Sequence, residues 1–206
     1  MGLELAVLIM ACALALSTRP WRLLQGNDSL TPVLAALVLL PWMWALPRLH
    51  AMPMQLQASG ACLLVLMMGW PLAVPVLVLV GLLAGLIAPT SWPDLLSQIV
   101  WHGVVPATLA LGVGWAIRRW MGLHVFVYVL GRAFLGTAVC LFVASLLEQW
   151  NGHDLPGVPE GLQLVARWLM AWGDAFITGM LTAIFVAFRP QWLATWSDRL
   201  YLRPPG

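Results

Sequence analysis

Seven apolar runs, each bounded by charge, proline or glycine, leave this chain very few folds to choose from. They fall at residues 3–17, 32–46, 56–69, 72–87, 96–117, 125–147 and 164–188. A helix that crosses a bilayer needs about 20 mostly apolar residues, because lipid offers no partner to a backbone N–H or C=O and the helix must satisfy its own. With 62% hydrophobic and 9% charged residues and a mean hydropathy of +0.90, the 206-residue chain keeps little outside these runs for a soluble domain. The expectation is an all-α, polytopic helical bundle in the membrane, a single transmembrane domain over 1–206 with a short cytoplasmic tail over 190–206. The third and fourth runs meet at "GWPLAVP" (69–75), and both are short. They read either as two spans or as one kinked or re-entrant element, giving seven spans or six.

The first run resembles a secretory leader, and "IMAC" ending at Cys12 faintly resembles a lipoprotein cleavage site. Glu4, and the lack of Arg or Lys ahead of the apolar core, favour a retained helix.

Charge placement sets the expected orientation. All ten basic residues are Arg. With seven spans, Arg19, Arg22, Arg118, Arg119, Arg189, Arg199 and Arg203 share one side. Arg48 lies opposite, with Asp94, Glu148, Asp154 and Glu160. The positive-inside rule then puts the N-terminus outside and the C-terminus in the cytoplasm. The Trp residues cluster at helix ends, among them Trp42, Trp44, Trp70, Trp92, Trp101, Trp115, Trp120 and Trp150, where they read as interfacial anchors.

Several functions lack the residues they need. There is no basic patch with interleaved aromatics for nucleic acid, and no CxxC pair among Cys12, Cys62 and Cys140. No GxSxG, HExxH, phosphate-binding loop or GxGxxG marks an enzyme. ATP-driven transport by such a chain needs a partner to hydrolyse the nucleotide.

What remains chemically unusual lies within the spans. Asp174 sits about ten residues into the last run, roughly 15 Å from its end at ~1.5 Å per residue. A carboxylate at that depth is costly unless neutral, paired or facing a wet cavity. Arg132 in "YVLGRAFLG" is the nearest opposite charge and a candidate partner in an intramembrane ion pair. Asp174 therefore reads equally as a structural group or as a substrate or coupling group. Small residues Gly173, Gly179, Ala183 and Ala187 suggest a face on which another helix packs closely, as does "GLLAG" at 81–85. His50, Met52 and Met54, with His102 from the fifth run, supply the imidazoles and thioethers of a candidate transition-metal site. As a plain loop, the same residues carry no ligand.

The stretches "DAFITGMLTAIFVAFRPQWLATWSDRLYL", "LHVFVYVLGRAF" and "SGACLLVLMMGWPLAVP" resemble the energy-coupling-factor transporter permeases. That bacterial group is related to the CbiM/NikM cobalt and nickel substrate-capture components. The resemblance implies about seven helices, an outside N-terminus, the bacterial inner membrane, and delivery of substrate to a transmembrane coupling protein and two ATP-binding-cassette ATPases. Metal-capturing relatives begin Met-His-Ile and place a ligand histidine three residues before a glycine of the third span. Here the chain begins Met1-Gly2-Leu3-Glu4, and Gln57 stands before Gly60. By the same resemblance Asp174 matches an acidic position of the last span.

The expected function is thus a membrane-embedded substrate-binding or permease component, for a transition-metal ion or a small metal-linked solute. Its expected pocket groups are Gln57, His102 and Asp174, and its docking region is the 189–203 tail, where Trp192 and Trp196 suggest a short interfacial helix. The alternative is an accessory or assembly subunit without transport activity.

Overall fold

The computed structural model describes residues 2–21, 30–49, 58–122, 124–197 and 201. Those residues build an all-helical bundle without strands: α1 (Gly2–Ser17), α2 (Leu30–Leu49), α3 (Ala61–Met68), α4 (Trp70–Ile87), α5 (Trp92–Trp120), α6 (Val127–Trp150) and α7 (Gln163–Phe188). Each of the seven apolar runs holds one helix. Five of them, α2 and α4 to α7, are long and apolar enough to cross a membrane. Large side chains such as Leu34, Val38, Leu86, Phe126, Phe176 and Phe188 point outward, while the core between helices is rich in Ala. In water that arrangement would be inverted; with lipid as the outer solvent it costs nothing.

The third run holds a helix too short to count as a span by itself. Among its described residues only Ala61–Met68 is helical, and eight residues reach about 12 Å, less than half the hydrocarbon thickness. Gly69, at φ 77°, separates α3 from α4 in a conformation that a side chain would strain. Gly60, at φ 65°, does the same at the other end, and a Cβ there would lie 2.7 Å from Leu40 Cδ2. The element is a half-helix bounded by two glycine turns. Residues 58–60 are non-helical, and lipid tolerates such backbone only where protein buries it, as it does Ser59.

The helices alternate in direction, so two ends can be named. At the upper end lie Glu4, Arg48, Asp94, Glu148 and the connection between α6 and α7. At the lower end, Leu193, Trp196 and Tyr201 bury themselves against Tyr128 of α6 and Leu66 and Met67 of α3. This changes the reading of the tail. Trp192 and Trp196 do not share an interfacial helix: a single 3-10 turn, Pro190–Trp192, precedes irregular chain, and Trp196 is packed into the bundle. Arg199 and Arg203 lie outside the described residues.

Two further expectations are corrected by packing. Trp44 and Trp101 are not interfacial anchors, since both are buried and donate their indole N–H inside the bundle, whereas Trp42, Trp92, Trp115, Trp120 and Trp150 are exposed as expected. On α7, Gly173, Ala183 and Ala187 face outward; only Gly179 of that set packs, against Phe134. The "GLLAG" glycines do admit a neighbour, Gly81 receiving Ile99 and Gly85 receiving Leu95 of α5.

Candidate functional site

The face of α7 that turns inward is a polar stripe. Gln163, Arg167, Asp174, Thr178 and Thr182, with Ala171 between, recur at three- and four-residue intervals and are all buried. On an otherwise apolar helix this face turns away from lipid, and Gln163, Arg167 and Asp174 find polar partners inside the bundle.

Asp174 meets the start of α3. The N–H of Ser59 donates to its Oδ2 at 2.8 Å and that of Gly60 at 3.4 Å, so the carboxylate satisfies backbone donors that a helix start leaves without partners. Ser59 is the hub. Its carbonyl accepts from Trp44 Nε1 of α2 (3.1 Å), its hydroxyl accepts from Ala61 N (3.1 Å), and the same hydroxyl donates to the carbonyl of His102 on α5. That carbonyl is available because Pro106, four residues on, has no N–H to return to it, and over Ile99–Val104 the helix widens into a π turn. Local chemistry in "HGVVP" thus fixes where His102 sits. Gln98, one turn earlier, donates through Nε2 to the carbonyl of Trp44 (3.2 Å).

Above this hub the charges gather. Arg167 Nη1 pairs with Glu148 Oε2 at 3.0 Å, and its Nη2 donates to the carbonyl of His153 at 2.6 Å. His102 Nδ1 lies 3.9 Å from Glu148 Oε1. His153 Nε2 lies 3.4 Å from Glu4 Oε1, which also accepts from Trp101 Nε1 at 3.1 Å. Five elements therefore converge: α1, α5, α6, the connection after it, and α7.

Two hollows meet at this cluster. The upper one, about 340 Å³, is lined by Arg48, Asp94, Gln98, His102, Glu148, His153, Asp154 and Arg167. The lower one, about 50 Å³, takes in Ser59, His102, Ser145, Glu148, Arg167 and Asp174. His102, Glu148 and Arg167 line both, so they form the partition between a vestibule and an inner chamber that reaches Asp174. On the other side of Asp174 an apolar groove of about 250 Å³ runs between α2, α3 and α7.

Of the residues expected at the site, His102 and Asp174 do share one chamber. Gln57, His50, Met52 and Met54 lie outside the described residues, so the metal site anticipated from them is not brought into view. Among the described residues no three His, Cys, Asp or Glu side chains gather closely enough to hold a metal ion. The pairing of Arg132 with Asp174 is not made. Arg132 lies over the ring of Tyr128 at 5.8 Å and against Gly114, where a Cβ would come within 2.8 Å of its Nε. Asp174 looks instead to backbone amides, because α3 inserts its start at that level of α7.

Four site residues escape a reading by charge sidedness: Ser59, Glu4, Glu148 and Arg167. Glu4 enters only the choice between a leader and a retained helix, Glu148 counts only as a charge on one side, and Arg167 is assigned to neither side. The polar stripe of α7 carried the signal, since 163, 167, 174, 178 and 182 fall on one helical face.

Fold and site together define a polytopic helical membrane protein with a buried, charged cavity opening at one end of the bundle. Comparison with known protein families, with curated proteins and with solved structures gives no match.

Proposed function

We propose that this chain is the substrate-binding, permease-like component of a membrane transporter, taking a small polar solute into the vestibule and inner chamber. The observation that carries the reading is the partition itself: a buried Arg167, with half-buried Glu148 and His102, stands between two hollows. Buried charges inside a bilayer bundle are expensive to keep, and a packed apolar layer would hold α5, α6 and α7 together at lower cost. Their retention beside a cavity is what a solute pathway requires.

The resemblance to energy-coupling-factor permeases names that partner as a transmembrane coupling protein with two ATPases, in the bacterial inner membrane. In that setting the vestibule faces outward, and the lower end with Leu193 and Trp196 faces the cytoplasm. The chamber wall mixes two carboxylates, an imidazole and a guanidinium, a set suited to a polar solute with both donors and acceptors. A transition-metal ion is the solute only where His50, Met52 and Met54 complete a donor set with His102.

The test is purification of the tagged chain from its native membrane under mild detergent. Recovery of an ATPase pair supports the reading. Stable recovery of an unrelated membrane enzyme overturns it in favour of an accessory subunit. Metal content of the purified protein, with and without His102→Ala, decides the ionic version: content unchanged by the substitution removes His102 as a ligand.

A further inference from the structure

α3 is too short to stand by itself. Eight residues make few intrahelical hydrogen bonds, and isolated helices of this length do not persist. Packing holds its sides, since seven of its eight residues are buried, and a clamp holds each end. At the upper end Ser59 and Gly60 donate to Asp174, which lies 115 residues away from Ser59 in the chain. At the lower end the orphan carbonyls are taken by the segment after α7. Ala194 N donates to Met67 O at 2.9 Å, and Thr195 donates to Leu66 O twice, from N at 3.2 Å and from Oγ1 at 3.0 Å. Gly69 N closes the remaining turn on Val65 O at 3.0 Å.

The lower clamp is itself locked. With the Thr195 hydroxyl proton committed to Leu66 O, the Tyr128 hydroxyl is the donor in the 2.8 Å bond between Tyr128 and Thr195. Tyr128 is buried beneath Trp196 and Tyr201, whose rings meet it edge-on at 4.9 and 5.1 Å. Positive-φ glycines stand at both ends, Gly60 within the upper clamp and Gly69 just past the lower one, so the chain can turn at either end of a helix about 12 Å long.

We propose that Thr195 is a positioning residue for the Asp174 site: it fixes the height of α3, and through it the Ser59 and Gly60 amides on the carboxylate. This deepens the transport reading and rests on it for its biological sense. A partner bearing on the lower end gains a mechanical route to the solute chamber, because displacing Thr195 draws α3 away from Asp174. Coupling of this kind is reciprocal, so loss of the Asp174 clamp loosens Thr195 by the same factor.

Hydrogen exchange on the full chain in lipid nanodiscs tests this directly. Thr195→Val removes the hydroxyl at nearly constant shape, and Thr195→Ser retains it. Of the two hydrogen bonds lost with the hydroxyl, the one to Leu66 O holds α3, and at ordinary strength its loss predicts about fivefold faster exchange of the amides at 59–61 in the valine variant. The serine variant keeps the wild-type rate, α2 and α4 are unmoved, and Asp174→Ala speeds exchange at 194–195 by a similar factor. Changes confined to 193–197, equal effects of Val and Ser, or loosening spread over α2 and α4 overturn the proposal. No solute enters this experiment. Its failure leaves the transport reading standing, and recovery with an unrelated membrane enzyme leaves the coupling standing.

Discussion

Replacing Arg167 by Met isolates what the partition costs and contributes. The Arg167 side chain is 1% exposed and its partner Glu148 13% exposed, so neither charge has free access to water. The substitution conserves most of the stem's packing, removes the 3.0 Å ion pair, and also removes the donor to the His153 carbonyl. Breaking a buried pair from one side typically costs about 3–5 kcal/mol, because the surviving charge remains desolvated. Glu148 borders the vestibule and regains some water, which places the expected loss near the lower end, about 3 kcal/mol, or roughly a hundredfold in the unfolding equilibrium. Removing both charges is the decisive comparison. Arg167→Met with Glu148→Leu leaves no orphan charge and should recover to within about 1 kcal/mol of the parent. Equilibrium unfolding in mixed micelles, run as a double-mutant cycle, reads both numbers. A single substitution costing under about 1 kcal/mol, or a double equal to the sum of the singles, would refute the claim that these groups form one buried unit.

Other perturbations follow from single contacts. Gly60→Ala forces a side chain into φ 65° and against Leu40, and should cost about 1–2 kcal/mol for the backbone alone; adding Leu40→Ala should relieve only the contact, as unfolding midpoints will tell. Trp44→Phe keeps the ring and strands the Ser59 carbonyl, for a loss of about 1–3 kcal/mol by the same assay, whereas Trp42→Phe on the exposed side of α2 should fall within about 0.5 kcal/mol. Asp174→Asn preserves an acceptor for Ser59 N while removing the charge, so the fold should survive with solute uptake into vesicles lost; uptake at the parent rate would exclude a role for the charge in transport.

The helices were legible in the sequence because backbone without water must satisfy itself, which a long continuous apolar run does as a helix, and every apolar run duly contains one. The exception, the third run, is instructive. Hydropathy cannot distinguish an apolar segment in lipid from one buried in protein, and the glycines that bound α3 look locally like ordinary breakers. His102 and Asp174 were legible because polar groups in apolar runs are conspicuous. Ser59 was not, since a serine can hide its hydroxyl against its own helix, and its importance arises from partners 43 and 115 residues away. The Arg132–Asp174 pairing failed for a related reason. Charge complementarity predicts attraction, but the start of α3 supplies positive dipoles already aimed at the carboxylate, with no long side chain to order.

These points bear on why a half-helix exists here at all. A full third span would satisfy its own backbone and present Asp174 with side chains only. Stopping the helix at Gly60 exposes main-chain donors at the depth of the chamber, and stopping it again at Gly69 exposes main-chain acceptors within reach of Thr195. The short helix therefore has polar demands at both ends that only distant parts of the chain can meet. That dependence ties the buried carboxylate of α7 to the segment immediately following the same helix, by a path that does not run along α7 itself. A rigid α7 would carry any displacement of its lower end to Asp174 along with everything attached to it. The separate route through α3 lets the donors move while the carboxylate stays, and a relative movement of that kind is what can open or close a site.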